Sequence, residues 1–184
     1  MDTEKNIWNR VKAPAPTSVI TENAEQGKIF MAHFLAEYQQ EMQQQQIAPI
    51  EIVCSEYGTA ANFWHALTSG CYNIACKLID DTGKKIIDRY YKQATIAAST
   101  DSIKSWLLRI VGDVKKNSGW TLLITLQNFD ALVEYCSASD VLKIRNLADI
   151  AIIMTVSQRP LDVLCNEKYN NPYFSNQFEP FCYP

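Results

Sequence analysis

Two seven-residue runs, Trp120–Leu126 (WTLLITL) and Ile150–Val156 (IAIIMTV), contain no charged residue. Runs so short and so apolar suit strands covered on both faces, the condition of a central strand in a parallel sheet. Parallel strands cannot be joined by a tight hairpin. They need crossovers of a dozen or more residues, usually helical, so the intervening segments should be helices packed on both faces of one sheet.

The remaining segments are assigned against that frame. PIEIVC at 49–54 reads as a strand and SEYGTA as the turn after it, with a helix beginning near Ala61 and reaching Leu67. YNIACKLI at 72–79 reads as a further strand, closed by Asp80, Asp81 and Gly83. Helices are expected over 20–46, 84–97, 130–148 and 160–168. The strongest amphipathic signal is 101–117, where Ile103, Trp106, Leu107, Ile110, Val111 and Val114 form one stripe. Ser99, Thr100 or Asp101 can cap its start and Gly119 can end it. Phe178–Tyr183 supplies a last strand. Residues 1–18, with Pro14 and Pro16, read as an irregular arm on the surface. The glutamine-rich stretch Gln39–Gln46 reads as a solvated helix end. The fold expected is therefore α/β, a three-layer αβα sandwich around a mostly parallel five-stranded sheet. It comprises an arm at 1–18 and one domain at 19–184.

Composition excludes several function classes. The 184 residues carry a formal net charge of −3, which gives no support for direct nucleic-acid binding. The MDTEKNIWNR start has no apolar core of a signal peptide, and no run is long enough to span a membrane. The six cysteines form no CxxC pair, and the two histidines, His33 and His65, stand far apart. No metal site is expected, and several cysteines within apolar runs read as reduced and buried, which implies a cytoplasmic protein.

A phosphate-binding loop has the form GxxxxGK[ST] between a strand and a helix. Laid after strand 49–54, it falls on Ser55–Asn62. Ser55 and Ala60 then stand where the glycines belong, with Gly58 between them. Ala61 takes the lysine position and Asn62 the hydroxyl position. At the end of the run WTLLITL stands Gln127-Asn128-Phe129-Asp130-Ala131-Leu132. This resembles the hhhh-D-E-F-D-x-L signature of AAA-type ATPases, read with amides at Gln127 and Asn128 in place of both acids. A carboxamide can hydrogen-bond but neither ligates Mg²⁺ as an anion nor serves as a base.

With these segments the chain resembles AAA-type and STAND-type P-loop ATPases, in particular the prokaryotic relatives of the origin-recognition ATPases. LKIRNLAD at 142–149 is similar to that family's Leu-Arg-x-Leu helix. Ser157-Gln158-Arg159-Pro160-Leu161 looks like its sensor-1 turn, and NNPYFSNQFEPF resembles its S-P-F-x-N-x-F segment. The resemblance implies a catalytically inactive, ATPase-like domain without the family's helical lid. It also implies no cofactor, because each matching position lacks its chemistry. The function expected is a structural or adaptor subunit of a prokaryotic multi-protein assembly, in defence, mobile elements or replication. Its partners would be proteins, such as an active ATPase or another copy of itself. Arg145, Arg159, Tyr173, Phe174 and Phe178 are the expected interface residues, although arginines of this kind more often pair with surface acids. A nucleotide-binding switch without hydrolysis is the alternative. A small enzyme of unrelated chemistry is a third reading, for which the sequence offers no nucleophile–base pair.

Overall fold

A computed structural model describes residues 3–11, 16–170 and 179–183. The elements run α1 (Thr3–Val11), β1 (Thr17–Ile20), α2 (Ala24–Glu37), α3 (Gln39–Gln44), β2 (Ile47–Val53), α4 (Ala60–Leu78), α5 (Asp81–Thr95), α6 (Thr100–Ser118), β3 (Thr121–Gln127), α7 (Phe129–Tyr135), α8 (Ala138–Leu147), β4 (Ile152–Ser157), α9 (Leu161–Tyr169) and β5 (Glu179–Cys182). The strands form one five-stranded sheet in the order β2-β3-β4-β1-β5. Each neighbouring pair is parallel. The expected α/β architecture is present.

The sheet sorts its side chains by parity, as the period of two in a strand requires. Ala48, Ile50 and Ile52 of β2, Leu122, Ile124 and Leu126 of β3, and Ile153 of β4 pack with α4–α9. Ile47, Leu123, Met154, Val156 and Val19 pack on the other face, against α1, α2 and α3. The runs WTLLITL and IAIIMTV are charge-free because both of their faces are covered. At about 25 cal/mol per Å² of apolar surface removed from water, that double covering is the main drive for the sheet.

Three expectations are overturned. The described residues of the segment 1–18 are not an irregular arm. Thr3–Val11 is a helix whose Ile7, Trp8 and Val11 are fully buried against the sheet. Trp8 stacks on Tyr38 with ring centroids 4.9 Å apart and its indole N–H donates to Glu41. Thr17–Ile20 is a strand in the interior of the sheet, between β4 and β5. Pro16 immediately precedes β1, a position where the missing N–H interrupts no ladder.

Residues 72–79 are not a strand. Residues 72–78 continue α4 and Ile79 caps its end; the buried Trp64, Leu67, Thr68, Cys71 and Ala75 of that helix follow a helical period. The long helix expected over 20–46 is two helices, broken at Tyr38, followed by the start of β2. Elsewhere the signals hold. The Ser99 side chain accepts from Ser102 N–H to start α6, and Gly119 ends it at φ 77° in the left-handed region. No helix among the described residues is long and apolar enough to cross a membrane.

Candidate functional site

In an open α/β sheet ligands bind beyond the carboxyl ends of the strands, where successive crossovers leave for opposite faces. Here the crossover after β1 runs through α2 on one face toward β2. The crossover after β4 runs through α9 on the other face toward β5. A cavity of about 100 Å³ lies at this point. It is lined by Thr21, Ala24, Gly27 and Lys28 after β1, by Ser55 after β2, by Gln127, Asn128 and Asp130 at the end of β3, and by Ser157 and Gln158 at the end of β4.

The strand–loop–helix unit at the switch is therefore β1–α2, not the β2–α4 unit on which the sequence template was laid. The template GxxxxGK[ST] falls on Glu22–Ile29 there. Gly27 and Lys28 match, Glu22 replaces the first glycine, and Ile29 replaces the hydroxyl residue. Lys28 and Asp130 thus bring to the cavity a cation and an acid that Ser55–Asn62 and Gln127-Asn128 do not supply.

The loop is nevertheless closed on itself. Only Thr21, Glu22 and Asn23 separate β1 from α2. A phosphate cradle needs free backbone N–H groups, and four of those around this turn are engaged. Thr21 N–H donates to the Ser157 carbonyl at 2.9 Å, and Gly27 N–H to the Asn23 carbonyl at 3.1 Å. Glu22 N–H donates to Gln26 Oε1 at 2.6 Å, and Gln26 N–H to the Asn23 cap at 2.9 Å. Helix α2 also sits close on β4. A Cβ at Gly27 would lie 3.0 Å from Val156 Cγ1, so this glycine serves close approach. Lys28 is exposed, and its ammonium lies 3.9 Å from the Glu25 carboxylate.

The β3 end is tied down in the same way. Gln127 is buried and donates from Nε2 to Glu51 Oε2 at 3.1 Å, a strand away. Asn128 takes the left-handed conformation at φ 52°, which asparagine tolerates better than most residues. Asp130 accepts the Gln158 backbone N–H at 2.8 Å, joining the start of α7 to the turn after β4.

Of the other sequence-predicted positions among the described residues, only Ser55 lines the cavity. Gly58, with φ 64°, precedes the cap of α4. Ala60, Ala61 and Asn62 form the first turn of that helix, and the Asn62 backbone N–H is taken by the Thr59 cap. Arg159 pairs with Glu167 at 2.8 Å on the surface. Arg145 is half-buried, and its Nε has no hydrogen-bond partner among the described residues. Tyr173, Phe174 and Phe178 lie outside the described residues. Sequence reasoning missed Thr21, Gly27 and Lys28. The signal that could have found them is the Gly-Lys pair placed shortly after the β-branched run TSVI.

No family model matches the sequence, and no curated protein matches it. Solved structures do match the fold. The Aeropyrum pernix ORC1 protein, in a complex with DNA, superposes with a TM-score of 0.66 at 10% identity over 99% of this chain. The ADP form of the Aeropyrum pernix ORC2 protein gives 0.61 at 12% identity over 98% of this chain. Its ADPNP-ADP complexes give 0.60 at 9% identity over 99% of this chain. The chain spans 44% of the first structure and 46% of each of the other two. The described residues thus share the fold of these ORC proteins.

Proposed function

We propose that this domain uses the ORC-like ATPase fold as a scaffold, does not hydrolyse ATP, and acts through protein contacts as a structural or adaptor subunit of a prokaryotic assembly. The observation that carries this reading is the hydrogen bonding of the turn after β1. The N–H groups of Thr21, Glu22, Gln26 and Gly27 already have acceptors within the chain. A triphosphate would have to break those bonds before gaining its own. A cavity of about 100 Å³ is also well under the roughly 300 Å³ at which pockets for drug-sized ligands begin. Ile29 offers no oxygen to a magnesium ion, and Gln127 and Asn128 present carboxamides where an acid and a base would act.

The experiment is a phosphate-release assay on the purified protein with ATP and Mg²⁺. Release at the rate of the protein-free blank is expected. Turnover that disappears in Lys28→Ala sinks the proposal.

A second reading, a nucleotide-binding switch without hydrolysis, is favoured by one feature. Gly27-Lys28 keeps the glycine and the cation of the loop template, and Lys28 lines the cavity. If the loop reopens, that lysine could reach a β- or γ-phosphate. Saturable ATP binding without turnover would select this reading over the first.

A further inference from the structure

A second cleft, of about 270 Å³, lies between α4, α6 and α8, beside the chain entering β4. It is at the opposite end of β4 from the switch-point cavity. Its walls are Trp64, Leu107, Leu108, Leu147 and Ile150. Lys104 lies within this apolar lining, and its side chain is only 7% exposed. A buried ammonium needs partners, and it has two carboxylates. Its Nζ lies 2.6 Å from Asp140 Oδ1 and 3.0 Å from Asp101 Oδ1. It also sits 5.3 Å from the centroid of the Trp64 ring. Asp140 is itself fixed by the Trp64 indole N–H at 2.8 Å and by Ser137.

An ammonium has three N–H donors, and these contacts use two. The third has no oxygen or nitrogen acceptor among the described residues, with the Trp64 ring face near the ammonium, and Lys104 lines the cleft. We propose that this cleft is a binding site for a flat aromatic or heteroaromatic small molecule bearing one neutral hydrogen-bond acceptor, a carbonyl or an amide oxygen, which takes the free N–H of Lys104.

Size and charge select that class. An engineered apolar cavity of about 150 Å³ in another protein holds benzene, so 270 Å³ admits a bicyclic ring. Trp64 and the leucines favour a planar apolar body. An anionic acceptor would face Asp101 and Asp140, which already neutralise Lys104, and Asp149 also lines the cleft. Exposed Lys143 offsets only one of those charges. A cationic group would be repelled by Lys104 and would leave its spare donor unmet. A neutral acceptor satisfies the donor with no added charge.

The test is a titration of the ¹⁵N-labelled full chain with indole-3-carboxamide, indole-3-carboxylate and tryptamine, read at the Trp64 indole N–H resonance. The carboxamide is expected to give a saturable shift and to bind about tenfold tighter than either charged probe, the range expected of one hydrogen bond to a charged donor. Leu108→Trp, which fills the cleft from a half-buried position, is expected to weaken the carboxamide about tenfold or more while the rest of the spectrum persists. Ile150→Trp serves the same purpose should the first variant not fold. The proposal is overturned if no probe gives a saturable shift, if a charged probe binds as tightly as the carboxamide, or if filling the cleft leaves affinity unchanged.

Discussion

Lys104 carries a positive charge into the packing between α4, α6 and α8, and Asp140 answers it. Removing one member of a buried pair leaves the other uncompensated, at a cost of about 3–5 kcal/mol. Lys104→Met is therefore expected to lower unfolding stability by about that amount in a urea titration, a loss large enough to exceed the error of extrapolation. A value within about 1 kcal/mol of zero would place the pair among the weak surface contacts.

The same pair makes a pH prediction. Burial alone would raise the Asp140 carboxyl, but the hydrogen bonds from Lys104, Ser137 and Trp64 outweigh it and hold its pKa at about 2, below the ordinary 3.8. A carboxylate depressed on folding stabilises the native state above its unfolded pKa, and that contribution fades as pH falls through the folded value. The urea midpoint should hold above pH 3.8 on this account and decline toward about pH 2. In Asp140→Asn the acid limb should flatten. Burial alone would lower the Lys104 ammonium, yet its contacts to Asp140 and Asp101 raise it above the ordinary 10.5. Its contribution is therefore complete at neutral pH and lost only as pH rises past that range.

At the scale of elements, helix α1 is part of the core. Trp8 is 2% exposed, stacked on Tyr38 and bonded to Glu41. Trp8→Ala should destabilise the protein by about 3–5 kcal/mol, as for other large-to-small core changes, measured by thermal or urea unfolding. A change below about 1 kcal/mol would return α1 to the status of a loose arm. Strands β3 and β4 were legible in sequence because double burial strips a strand of charge, and α6 because its stripe, cap and terminal glycine agree with one another. Three elements were not. Strand β1 has four residues and follows a proline, so no pattern of period two can show in it. The second half of α4 is an apolar run whose length fits a strand and whose period fits a helix, and only its packing against the sheet decides. Helix α1 is nine residues long, too short to be stable on propensity alone, and is held by tertiary contacts. The candidate site inherited the error in β1. With the first strand unread, the phosphate-loop template was laid on β2–α4 rather than on the unit at the switch point, so Gly27 and Lys28 passed unnoticed, whereas Gln127 and Asn128 do line the cavity.

At the scale of the whole molecule, the fold is similar to that of the Aeropyrum pernix ORC1 protein, while four backbone N–H groups of the turn after β1 are bonded within the chain. On the proposed reading, those hydrogen bonds would have to break before a nucleotide could bind there. Calorimetric titration of the purified protein with ATP and Mg²⁺ tests this most directly. The account predicts binding weaker than about 100 µM, or none, because ligand and chain compete for the same donors. Saturable binding tighter than that, lost in Lys28→Ala, would contradict it.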